Sequence, residues 1–217
     1  MASSATNGLP SLLVFGPQTD FPPEKVLQDY RQELISSPRL SALKDAVDDL
    51  PQFWQSLVDF DPSLRHVPGG KYLGHLRQWV QDGGPFPHQE SNSPNHFALA
   101  VTVLLQIIQY TSYLDQLGED SHHKVLESVK SGGVQGFCVG FLSAIAVASS
   151  ASEADIGPSA AVALRLAVGI GAYVDQDGAF SPDATEYKAV AVRWRDGNAD
   201  DEAEAANIIR STPGVSQ

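Results

Sequence analysis

The sequence predicts an α/β fold whose pattern stops early, on three observations. Ser11-Leu12-Leu13-Val14-Phe15 is a short apolar run closed by Gly16-Pro17, as a buried strand ending in a turn would be. Gly132 to Phe137 fits a second short strand, and the segments between the two have helical spacing. After Asp175 there remain one polar linker, one strand and one helix, too little to bury both faces of a sheet.

The elements follow in order. Glu24 to Ser36 places Val26, Leu27, Tyr30 and Leu34 on one helical side, with Pro23 just ahead of it as a helix start allows. Pro38 breaks that helix, and Arg39 to Leu57 continues with Leu40, Leu43, Val47 and Leu50 at spacings of three and four until Pro51 interrupts it. Tyr72 to Val80 predicts a short helix ended by Gly83-Gly84-Pro85, and Asp82 to Asn95 a polar, proline-rich loop. Phe97 to Leu117 reads as a long buried helix and Ser121 to Ser131 as a more exposed one. Val139 to Ser149 and Pro158 to Tyr173 are small-residue, apolar helices. Asp175 to Glu186 is the linker, Tyr187 to Trp194 the strand and Ala199 to Arg210 an acidic helix. The expected division is a large, incomplete subdomain over 9–182 and the beginning of a second one over 183–217.

The 217 residues are 42% hydrophobic and 18% charged, which places the chain among soluble globular proteins. A formal net charge of -12 argues against a nucleic-acid partner, whose phosphates would be repelled. The apolar run Phe97 to Ile108 is too short for a bilayer span, and residues 1–10 show no signal-peptide pattern, so no membrane partner is expected. A single cysteine allows no internal disulfide and fits a reducing, cytoplasmic setting.

That cysteine lies in Gly136-Phe137-Cys138-Val139-Gly140, the spacing of a nucleophile elbow. Glycines two before and two after the nucleophile are needed because the backbone there is strained and approaches its neighbours closely. The nucleophile then sits at a helix N-terminus, where free N–H groups and the helix dipole favour negative charge. The amide of Val139 is the expected oxyanion donor. Otherwise Cys138 is a small buried hydrophobe, as lone cysteines commonly are. No metal site is expected, because His66 and His75 lack ligand spacing. Asp196 to Glu202 does not meet the pattern of a calcium loop.

Gly-Phe-Cys-Val-Gly followed by Phe141 to Ser150 resembles the starter-unit acyl-carrier-protein transacylase domain of fungal non-reducing polyketide synthases. Val14-Phe15-Gly16-Pro17-Gln18-Thr19 resembles the family's opening strand and glutamine loop, and Ser93 to Tyr110 the long helix before the elbow strand. The resemblance covers roughly residues 9 to 195. It implies an α/β-hydrolase-like acyltransferase core with the start of a ferredoxin-like subdomain. It implies, too, that Cys138 attacks an acyl-CoA or acyl-phosphopantetheine thioester and passes the acyl group to an acyl carrier protein. Gln18 would be the second oxyanion donor, and no bound cofactor is implied. Set against malonyl transacylases, the helix after the elbow puts Ile170 where an arginine binds the malonyl carboxylate. A neutral acyl group is therefore expected, since an unpaired buried charge is costly. Arg165, one and a half turns earlier, reads as a surface or structural charge.

The family's general base is a histidine after the elbow, whereas His66, His75, His88, His96, His122 and His123 all precede Cys138. His122 and His123 read as an exposed helix start, and His88 and His96 flank a loop that could approach the site. The other readings are a catalytically silent remnant of the domain, or a cysteine-elbow hydrolase or thioesterase, which would also need a downstream histidine.

Overall fold

The computed structural model describes residues 9–87, 93–178 and 207. The described residues up to 177 belong to one compact unit, which ends at Asp177. Strand β1 is Leu13–Phe15 and β2 is Val134–Gly136. The helices are α1 Glu24–Ser36, α2 Ser41–Phe60, α3 Gly69–Asp82, α4 Asn95–Leu117, α5 Ser121–Ser128, α6 Gly140–Ser149 and α7 Glu153–Gly178, with 3-10 turns at Pro38–Leu40 and Pro62–His66. The α/β expectation stands in reduced form: two parallel strands among many helices. The strand and helix expected after residue 183, and the loop at Asp196, lie outside the described residues.

The two strands pair in the register Leu13↔Val134, Val14↔Gln135 and Phe15↔Gly136. One sheet face packs on the interior, where Phe15 meets Tyr110 edge-on at 6.2 Å; the other exposes Val14 and Gln135. Helix α4 is the spine of the molecule, apolar and buried nearly all round, as its lack of a polar face requires. It packs against α1, α3, α5 and α6, while α6 covers both strands. By length and composition α4 and α7 could each cross a membrane; in this fold most of α4 is buried against other helices.

Several boundaries differ from those the sequence predicts. Pro51 does not end its helix: α2 runs through it, because Leu43, Val47, Leu50, Trp54 and Val58 bury one continuous face on both sides of it. Pro158 likewise lies inside α7, in its second turn. Asp175 is not linker but part of α7, and it is 1% exposed.

The burial of Asp175 has a physical cause. The residue preceding α4 is Pro94, and that preceding α5 is Asp120, in the left-handed region; neither supplies a side-chain cap. The orphan amides at both helix starts are met by α7 instead. At one end of α7, Asp175 accepts from Asn95 N at 2.9 Å, Asn95 Nδ2 at 2.8 Å and His96 N at 3.0 Å, with His96 Nδ1 at 2.5 Å. At the other, Glu153 accepts from the Ser121 hydroxyl at 2.9 Å and His122 N at 3.3 Å and pairs with Arg39 at 2.8 Å. Negative charge at these N-termini also complements their dipoles.

Candidate functional site

Cys138 lies between β2 and α6, and its thiol is exposed, so it is not a buried hydrophobe. Its φ is 57°; among the described residues, the other non-glycine with positive φ is Asp120. Holding a side chain in this region costs about 1–2 kcal/mol. The turn is fastened by Phe137 N to Phe15 O at 2.9 Å, Gly140 N to Phe137 O at 3.1 Å and Phe141 N to Cys138 O at 3.1 Å. A Cβ on Gly136 would collide with the Phe141 backbone, and one on Gly140 with the Gly16 and Phe15 carbonyls. These glycines let strand, helix and N-terminal loop converge on one cysteine. Gly140→Ala is therefore expected to cost about 3 kcal/mol in a denaturant titration, since the atoms it meets are backbone. An unchanged midpoint would show that the loop does not rest on the elbow.

Val139 begins the helical turn with φ −59° and ψ −27°, and among the described residues no backbone carbonyl accepts from its amide. No acidic residue occupies the first turn of α6. The helix end beside the thiol thus keeps an unused donor and an uncompensated dipole, suited to a developing oxyanion.

Parallel pairing brings the end of β1 to the same place. Gly16 rests against Gly140, and the exposed Gln18 follows two residues later. Sequence reasoning missed the residue that holds Gly16: Gln106 of α4 donates to its carbonyl at 2.8 Å. The available signal was an amide side chain inside the otherwise apolar stretch Leu104 to Ile108.

Ile170 lies elsewhere on the surface, half exposed, in an apolar groove of about 440 Å³ lined also by Phe53, Leu57, Leu166 and Tyr173. Arg165 lines the same groove, 3.8 Å from Asp49. A second groove, about 240 Å³, runs between Leu142 and Ile145 of α6 and Val162 and Leu166 of α7. Val162 and Leu166 line both, so the apolar surface is continuous from α6 to Ile170.

His96 and His122, the two buried histidines among the described residues, are held away from the thiol. His122, expected to be exposed, is buried, because the end of α6 and Tyr110 close over it. Its Nε2 donates to the Ser150 carbonyl at 2.9 Å and its Nδ1 accepts from the Tyr110 hydroxyl at 2.8 Å. Ser150 caps the far end of α6, ten residues and so about 15 Å along the axis from the elbow. Burial, reinforced by Glu153, holds the Tyr110 hydroxyl protonated far above the usual tyrosine range. Burial pushes the Glu153 carboxyl up, but the bonds from Ser121 and His122 and the Arg39 charge outweigh it, leaving it below its ordinary value.

His96 is wholly buried against Trp54 and Tyr72, with Nδ1 on Asp175 and Nε2 without a partner among the described residues. It stands ten residues before Gln106 on α4, again about 15 Å along the axis from the contact with the elbow loop. Burial raises the Asp175 carboxyl, but the bonds from His96 and Asn95 prevail and hold it below the ordinary aspartate range. His66, His75 and His123 are exposed, and His88 lies outside the described residues. Among the described residues no group of three metal-binding side chains occurs.

Residues 73–211, which include the whole elbow, match the family model described as "Starter unit:ACP transacylase in aflatoxin biosynthesis". The chain belongs to the starter-unit acyl-carrier-protein transacylase family. Its relatives include the non-reducing polyketide synthase spyA of Aspergillus fumigatus, 37% identical over 212 residues, which are 95% of this chain and 11% of that protein. The non-reducing polyketide synthase esdpA of Penicillium shearii is 41% identical over 88% of this chain and 9% of its own length. The 5-methylorsellinic acid synthase of Aspergillus terreus is 36% identical over 95% of the chain and 8% of its own length. The chain thus spans about a tenth of the relatives it matches.

Proposed function

We propose that this chain is the starter-loading part of a fungal polyketide synthase, and that Cys138 carries the acyl group between a thioester donor and an acyl carrier protein. The observation that carries the reading is an exposed thiol held at φ 57° at the start of α6, between glycines that admit no side chain. The sulfur attacks the thioester carbonyl, forming a new C–S bond as the carbonyl pair moves onto oxygen beside Val139 N–H and Gln18. The C=O re-forms, the donor C–S bond breaks, and the departing thiolate takes the proton given up by Cys138. A carrier phosphopantetheine thiol repeats the exchange in reverse. The breaking and forming bonds are both thioesters, so neither half is driven uphill.

His96 and His122 are engaged by Asp175 and Ser150 far along α4 and α6, so neither is read as the proton relay. The core is read as α/β-hydrolase-like, completed by a ferredoxin-like subdomain whose start is placed at 183. The site is read as needing no metal or bound cofactor and as working in the cytoplasm. The preference for a neutral acyl group over malonyl is proposed from the sequence position of Ile170 alone, which offers a carboxylate no partner; its groove is lined by neither Cys138 nor Gln18.

Incubation with hexanoyl-, acetyl- and malonyl-thioesters tests this by intact mass, with Cys138→Ala as control. A single adduct from the neutral donors, at least about tenfold faster than from malonyl, is the expected result. No adduct on a folded sample that still alkylates with iodoacetamide would favour a silent remnant. The placement of both buried histidines away from the elbow gives that second reading its support.

A further inference from the structure

The Gly16 carbonyl is where the N-terminal loop meets the elbow, and it is gripped from two sides. Gly140 presses on it so closely that a Cβ there would collide. From α4, Gln106 Nε2 donates to it at 2.8 Å. The remaining amide atom, Gln106 Oε1, is buried and has no hydrogen-bond partner among the described residues. Its neighbours Leu105 and Ile107 are buried apolar side chains. The side chain is partly buried, and its unsatisfied oxygen carries a desolvation cost that the bond to Gly16 offsets only in part. The single bond that Gln106 does make reaches the residue two before Gln18.

We infer that Gln106 is a positioning residue for acyl transfer. By fixing Gly16 against Gly140, it sets the separation between the two oxyanion donors, Gln18 and the Val139 amide. This inference rests on the reading of Cys138 as acyl acceptor. Donors misplaced by a fraction of an ångström lose much of their effect, since only pre-set donors stabilise the oxyanion without reorganising.

Gln106→Met keeps the volume and removes the bond. Hexanoyl transfer to Cys138 is expected to slow about 10- to 100-fold, because it passes through an oxyanion. Alkylation by iodoacetamide, which forms none, should stay within about twofold, and the thermal midpoint should fall by no more than the loss of one part-buried hydrogen bond at Gly16 accounts for. In a Gln18→Ala background the same substitution should cost less than about threefold more, because its route of action has been removed. Wild-type acylation rates in Gln106→Met would overturn the inference while leaving Cys138 as acceptor intact. So would equal losses of alkylation, acylation and stability, the mark of a merely structural side chain; Gln106→Leu repeats the test should the methionine pack badly. A wild type that alkylates but never acylates would overturn both.

Discussion

Cys138→Gly is expected to give a protein more stable than the wild type by about 0.5–1 kcal/mol that takes up no acyl group. Relief of a side chain at φ 57° is worth about 1–2 kcal/mol, and the extra freedom of glycine in the unfolded chain returns about 0.5–1 of it. The thiol is exposed, so its loss opens no cavity. Cys138→Ala keeps the strained backbone and should leave stability near that of the wild type while abolishing the adduct. Urea titration with intact-mass analysis of the three proteins is the measurement. If glycine stabilises no more than alanine does, the elbow is not strained, and the principal support for a functional cysteine goes with it.

Asp175→Asn should destabilise the protein by about 3 kcal/mol and alter how its stability depends on pH. The carboxylate accepts four hydrogen bonds in an interior position, and an amide there replaces an acceptor with a donor facing other donors. The folded state holds this carboxyl below its ordinary range, so the unfolded state binds its proton first as pH falls. The contribution is therefore fully present above about pH 5 and is lost progressively once the pH drops below the ordinary aspartate value near 4. Between pH 6 and 3 the wild type should lose more stability than Asp175→Asn does. Parallel pH profiles would mean that the carboxylate is not the ionised cap of α4.

The elbow was legible in the sequence because its requirements are local: two glycines, one cysteine, a strand before and a helix after, all within sixteen residues from Val134 to Ser149. The pairing of β1 with β2 was half legible. Each strand shows as an apolar run, while their parallel register depends on everything between them. Asp175 was misread because it stands in a polar stretch, and its partners His96 and Asn95 are about 80 residues away. His122 was misread for the same reason: Ser121-His122-His123 has the composition of a solvated helix start, and its cover comes from Tyr110 and Ser150. Pro51 and Pro158 show propensity overridden by an apolar face that continues past the proline. Gln106 was passed over because a polar residue on a core helix carries no local sign of what it grips.

The capping of α4 by Asp175 also imposes an order of assembly. A ribosome releases the elbow about 40 residues before it releases the aspartate that closes the start of α4, several seconds at ordinary elongation rates. During that interval the helix from which Gln106 grips the elbow loop lacks the carboxylate that meets its first amides in the folded chain.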